Sequence, residues 1–287
     1  MKPVTLSSRL LSSPVPGLRC TAPVSAEPPA PAADDTSTVA DDSAAAGLPA
    51  ELRPGFTRSA AVDPVTEKVF VAVHSPDGGS VVRFASAEAL EAGAAPEAVF
   101  TLPVAGPNAD DAAAHRTATA PAAMVCDSAG RLWVADALHH RVLRYDAAGD
   151  LPSGAQPSGV LGQAGFHGGS PGTSASRMHR PVDIAVDGHG RLYVADAGNA
   201  RVLWFNDAAR RSPGASANGV LGQTDFDARG PGGVLLKSPS RLAVEGGGRG
   251  RPVTLWVADA PCLSVLRFDN ATALPVTGAE AAAVLLA

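Results

Sequence analysis

Four recurrences of one pattern, about sixty residues apart, predict an all-β chain built from repeated four-stranded sheets. The blocks read FTRSAAVDPVTEKVFVAVHSPDGGSVVRF (56–84), PAAMVCDSAGRLWVADALHHRVLRY (121–145), RPVDIAVDGHGRLYVADAGNARVLWF (180–205) and SPSRLAVEGGGRGRPVTLWVADAPCLSVLRF (238–268). A marker acid falls at Asp63, Asp127, Asp187 and Glu245, so successive repeats are 64, 60 and 58 residues apart. Two blocks are followed by a further shared element, GVLGQAGF (159–166) and GVLGQTDF (219–226). Fainter echoes follow the others, EAVF (97–100) and AAVLL (282–286).

Each unit holds three short apolar runs plus the VLG element. In the third unit they are Asp183–Val186, Leu192–Ala195, Val202–Phe205 and Val220–Leu221. They carry β-branched and aromatic residues, and Gly, Asp and Asn separate them, which reads as strand, turn, strand. None is long enough for an amphipathic helix. Four antiparallel strands per unit, repeated, is the signature of a β-propeller blade. Blades cover one another on both faces, so runs such as LYVA and VLWF need not alternate with polar residues.

The pattern P-x-x-(I/L)-A-V-D-x-x-G-R-L-(Y/W)-V-A-D-x-x-x-x-R-V-L-x-F resembles the NHL repeat, and the added GVLGQ-x-x-F element is similar to a variety common in bacterial NHL-repeat proteins. The resemblance covers about 56–286. It implies a propeller, usually of five or six blades, whereas four are visible here. The chain is therefore expected to be a four-bladed ring, an open arc, or part of a larger propeller. An open arc would leave apolar residues such as Val69, Val71, Leu255 and Val257 uncovered and favour self-association.

Residues 1–50 lack periodicity and are expected to be a disordered segment and linker, with the propeller domain occupying 51–287. Residues 1–26 carry Lys2, Arg9 and Arg19 with no acid, and so resemble an organelle transit peptide, though an untargeted tail reads equally well. Their longest apolar stretch, Leu10-Leu11, is too short for a secretory signal. The compartment is left open. No apolar run approaches the ~18–20 residues of a membrane helix. A net charge of -5 disfavours nucleic acid and anionic membranes as partners. Cys20, Cys126 and Cys262 form no C-x-x-C pair, which argues for incidental thiols over a disulfide framework or zinc site.

Several repeated residues look chemical. Asp136 with Arg141, and Asp196 with Arg201, bracket the turn between the second and third strands, where they are expected to face each other and lock the hairpin. The first unit has Val73 and Ser80 at these places, and the fourth has Asp259 and Ser264. A pair that recurs is structural, because an active site occurs once. The marker acids are expected to accept turn N–H groups, with Gly130 and Gly190 supplying positive φ. Gln163, Gln223, Phe166 and Phe226 are expected to serve blade-edge packing.

One face of the fold collects the strand 2–3 turns and the blade-to-blade connections, about 101–121, 163–180 and 223–238. Crossing from rim to axis needs roughly 14 Å, or about five extended residues. Each connection therefore has residues to spare, and long loops on a rigid scaffold are where binding concentrates. His74, His115, His139, His140, His167 and His179 fall there, with only His189 opposite. His115, His139, His140, His167, Arg177, His179 and Arg180 form the expected binding face. The expected function is a non-catalytic scaffold for a protein, peptide or glycan, with no catalytic residue, cofactor or metal assigned. The alternative is a propeller hydrolase or lyase with a metal-assisted site on the histidine-containing face. Calcium would need several carboxylates, and near the axis only Asp183 is acidic. Peptide-amidating lyases, which resemble this fold, carry Pro-His-Ser where this chain has Val182.

Overall fold

A computed structural model describes residues 59–75, 78–103, 121–227, 236–247 and 251–286. The expectations placed on residues 1–50 and on His115 lie outside them. The described chain forms four antiparallel four-stranded sheets, each in simple sequential order. The first blade is β1 (Ala60–Val62), β2 (Val69–Ser75), β3 (Gly78–Phe84) and β4 (Ala98–Thr101). The second is β5 (Ala123–Cys126), β6 (Leu132–Asp136), β7 (Arg141–Tyr145) and β8 (Gly159–Leu161). The third is β9 (Pro181–Val186), β10 (Leu192–Asp196), β11 (Arg201–Phe205) and β12 (Gly219–Leu221). The fourth is β13 (Pro239–Gly246), β14 (Val253–Asp259), β15 (Ser264–Phe268) and β16 (Ala283–Leu286). Both GVLGQ elements and both fainter echoes form outermost strands.

Among the described residues one α-helix departs from all-β, α1 (Ala87–Glu91), capped by Ser86 Oγ accepting from Ala89 N. In the other blades a 3-10 turn stands there: Ala148–Asp150, Ala208–Arg210 and Ala271–Ala273. Each of the four segments begins three residues after the aromatic that ends its third strand: Phe84, Tyr145, Phe205 or Phe268.

The marker acids work as expected in three blades. Asp127 Oδ1 accepts from Ala129 N and Arg131 N, and Asp187 Oδ1 from His189 N and Arg191 N. Asp63 accepts from Val65 N and the Thr66 hydroxyl. Gly130 and Gly190 take φ of 71° and 78°. Glu245 departs from the pattern: it lies exposed within β13, opposite Thr254, because pairing continues to Gly246 and Val253.

Blades pack in chain order. β1 lies against β5, β5 against β9, and β9 against β13; among the described residues no packing on that scale returns from β13 to β1. Three apolar clusters fill the three junctions. The residues left uncovered differ from those expected. Leu255 and Val257 are fully buried against the third blade, and Val69 and Val71 are buried with Leu90 of α1 laid against their cluster. In β14 the alternate residues Thr254, Trp256 and Ala258 are half-buried, because a strand presents successive side chains to opposite faces and only one face of this blade is covered.

Cys126 is a free thiol on β5, whereas Cys262, in the β14–β15 turn, is disulfide-bonded, contrary to the reading of incidental thiols. Burial, reinforced by the Asp63 and Asp127 carboxylates, pushes the Cys126 thiol up to about 12. At pH 8 the folded protein should therefore leave Cys126 unmodified by iodoacetamide, and unfolding should expose it at the ordinary thiol rate, near a pKa of about 8.5. Rapid labelling of Cys126 in the native state, read by peptide mass spectrometry, would contradict this.

Candidate functional site

The loop-bearing face is organised by two buried arginines. Antiparallel register sets Asp136 opposite Arg141 and Asp196 opposite Arg201 at the mouth of the β6–β7 and β10–β11 turns. The Nε of each arginine donates to its aspartate, at 2.8 Å from Arg141 and 2.7 Å from Arg201. Both arginine side chains have no solvent exposure. A buried guanidinium must satisfy five N–H donors, and the remaining donors go to backbone carbonyls of the long connections. Arg141 donates to Phe166 O in its own blade and to Pro103 O in the segment leaving the first blade. Arg201 donates to Phe226 O in its own blade, and to Thr173 O, Ser174 O and Arg177 O in the connection arriving from the second blade.

The aspartates complete the hold. Asp196 Oδ1 accepts from His179 N at 2.6 Å, and Asp259 accepts from Lys237 N and Ser238 N at 2.6 and 2.9 Å, so each pins the backbone leading into its own blade's first strand. The residue three positions after the aspartate donates to it: His139 Nδ1 lies 2.8 Å from Asp136 Oδ2, and Asn199 Nδ2 lies 2.8 Å from Asp196 Oδ2. Burial works against the Asp136 carboxylate, but hydrogen bonding from His139 and the Arg141 charge outweigh it and hold Asp136 below the usual range. At Asp196 burial prevails over Arg201 and the neutral Asn199, and the carboxyl is shifted upward.

Gln163 and Gln223 do more than pack. Gln163 Nε2 donates to His140 O and Ser170 O while its Oε1 accepts from Arg177; Gln223 Nε2 donates to Asn199 O and Ala200 O. The receiving turn residues His140 and Ala200 are both left-handed, at φ 55°, which turns their carbonyls out of the ladder. The preceding Gly162 and Gly222, at φ 85° and 88°, have no room for a Cβ against Met178 and Leu236. Phe166 and Phe226 pack on the blade clusters.

The 163–180 connection is thus a folded part of the molecule. Gly172 N donates to Met178 O, Arg177 N to Ser174 O, and Gly198 N to His179 O. Of the residues expected to form the binding face, His139 and His140 are buried, and His140 Nδ1 accepts from Arg180 N at 3.0 Å, which places that ring's proton on Nε2. The His140 and His179 rings meet edge to face with centroids 5.2 Å apart. Arg177 and His179 are half-buried, while His167 and Arg180 are exposed. Arg180 holds a φ of 56° immediately before Pro181, an uncommon conformation kept by the bonds on either side of it.

Near the axis a cavity of about 350 Å³ is lined by Ala122, Val182, Ala197, Ser238, Pro239, Ser240 and Arg241. Asp183, the acid expected there, accepts from Leu242 N at 2.7 Å and ties the third inner strand to the fourth, as Ser59 Oγ ties the first to the second through Met124 N. Among the described residues no three His, Cys, Asp or Glu side chains are grouped to hold a metal ion, and no helix is long and apolar enough to cross a membrane.

Four sequential antiparallel sheets joined at their inner strands define an all-β propeller of four blades. Residues 178–205, which are the entrance to the third blade and its first three strands, match the NHL repeat. No curated protein matches the chain. Similar solved structures include hydrazine synthase of Kuenenia stuttgartiensis, with 13% identity and a TM-score of 0.48 over 82% of this chain and 51% of that one. Streptogramin B lyase is 12% identical with a TM-score of 0.43, covering 78% of this chain and 53% of the lyase. The RRP9 WD40 repeats are 18% identical with a TM-score of 0.41, covering 75% and 52%. The chain spans about half the length of each.

Arg201→Ala leaves Asp196 buried beside unpaired loop carbonyls and should cost about 3–5 kcal/mol in chemical denaturation. Asp196→Ala combined with Arg201→Ala should cost little more than either alone, since the two act as one unit; a loss below about 1 kcal/mol for Arg201→Ala would refute the assignment. Because the Asp136 pKa is lowered on folding, its contribution is present above the unfolded value of about 3.9 and disappears as pH falls through the lower folded value. Asp136→Asn should therefore flatten the acid limb of the stability curve below about pH 4, whatever it does to stability at neutrality.

Proposed function

We propose that this chain is a non-catalytic NHL-type scaffold that binds a protein, peptide or glycan through its loop-bearing face. The carrying observation is how the buried polar groups of that face are used. Asp136, Arg141, Asp196, Arg201 and Gln163 spend their hydrogen-bonding capacity inside the fold, on backbone groups and on each other. What they build is a fixed loop platform, on which His167 and Arg180 stand exposed with Arg177 and His179 beside them. A rigid platform bearing polar, partly cationic side chains suits recognition, because little ordering entropy is lost on binding. The half-covered fourth blade extends the same reading to association between copies.

The test compares two faces of one blade. A photo-crosslinking amino acid at His167 should capture a partner in cells, while the same probe at His189, in the β9–β10 turn on the opposite face, should not. Arg180→Glu should abolish the His167 adduct. Capture at His189 alone, or equally at both positions, would refute the loop-face assignment.

A further inference from the structure

At each junction between blades the structure repeats one device. An arginine on the earlier blade lies over an aromatic ring of that blade and donates to carbonyls of the 3-10 turn of the next. Arg83 lies 5.9 Å from the Phe100 ring and donates to Ala148 O and Leu151 O. Arg144 lies 5.8 Å from the Trp133 ring and donates to Ala209 O. Arg191 lies 6.0 Å from the Trp204 ring and donates to Ala271 O and Thr272 O. The fourth blade has the same device, Arg267 lying 5.8 Å from the Trp256 ring, and among the described residues no further blade packs against it. Among the described residues Arg267 pairs with Asp269, a carboxylate half exposed to solvent, and keeps 30% of its own side-chain area exposed.

The ring and cation sit at the centre of the one blade face that is open among the described residues. Cross-strand register groups Trp256 with Ala243 and Arg267, Ala258 with Arg241 and Val265, and Thr254 with Glu245. Leu285 adjoins Val265 and is 38% exposed. We infer that this face, centred on Trp256 and Arg267, docks the same face of a second copy of the chain as a two-fold dimer. This deepens the self-association proposed above and is independent of the loop-face reading.

Two observations select a second copy in this arrangement. The face carries two cations, Arg241 and Arg267, and two carboxylates, Glu245 and Asp269 at its margin, so it is electrically balanced and complementary to itself after a two-fold rotation. A head-to-tail arrangement would instead need an open face on the first blade. That face is closed: Val69, Val71, Val82 and Phe84 are buried, with Leu90 of α1 against them. One open face gives an isologous contact that stops at two copies. A single blade face is small against a standard interface, so the dimer should be reversible in the micromolar range.

Sedimentation velocity on the full chain over about 1–100 µM should show 28.8 kDa monomers converting to a species of twice that mass and no larger. Arg267→Glu, at a half-buried position on this face, should keep the wild-type circular dichroism and raise the dissociation constant at least about tenfold. Glu88→Arg, on α1 at the opposite end, should leave it unchanged. A monomer at every concentration, growth beyond two copies, dissociation by Glu88→Arg, or an unaltered dimer with Arg267→Glu would each overturn the inference. None of these results bears on capture at His167, so the two readings fail separately.

Discussion

The architecture depends on buried guanidinium groups whose donors, beyond those taken by one aspartate each, go to backbone carbonyls. An arginine without solvent exposure is costly unless its charge is paired and its donors are filled. Arg141 and Arg201 meet that demand by taking one aspartate each and then the carbonyls of loops 24–38 residues away in sequence. The same requirement that neutralises the charge fixes the loops. Sheet register, hairpin turn and inter-blade connection are therefore linked at one atom group, and none can shift without stranding a donor.

A second set of arginines does the corresponding work on the opposite side. Arg83, Arg144 and Arg191 reach across each junction to the turn that follows the third strand of the next blade. Blade-to-blade adhesion thus has an apolar term, the three clusters, and a directional polar term that sets how far one blade is rotated against the next. The first and fourth blades show what these terms leave over. On the outward side of the first, Val69, Val71, Val82 and Phe84 are buried with Leu90 packed against them, while the fourth retains the cation and ring with one face half covered.

Much of this was legible in the sequence. Period, strand order and the Asp–Arg facing follow from residue spacing alone, because a hairpin of known register fixes which side chains meet. The turn acids at Asp127 and Asp187 follow in the same way. What could not be read were contacts set by the rotation between blades: the carbonyls that receive Arg191 lie 80 and 81 residues away and carry no side-chain signal. The burial of His139 and His140 was hidden for the same reason, since a turn that looks exposed in one hairpin is roofed by the connection from another part of the chain. Leu255 and Val257 were assigned to the wrong face because strand alternation gives two faces without saying which meets the preceding blade. Glu245 kept its place in the repeat but lost its role when the β13–β14 pairing lengthened past it.

The long 163–180 connection is as much part of the core as the strands, held there by Arg201 and Asp196. Native-state hydrogen exchange measures this most directly at the amides of Gly172, Arg177 and His179, which donate to Met178 O, Ser174 O and Asp196. The account predicts that these amides exchange only through the same cooperative opening as β10 and β11, with the same denaturant dependence. Exchange of the three amides through a local, denaturant-independent opening, while β10 and β11 stay protected, would contradict it.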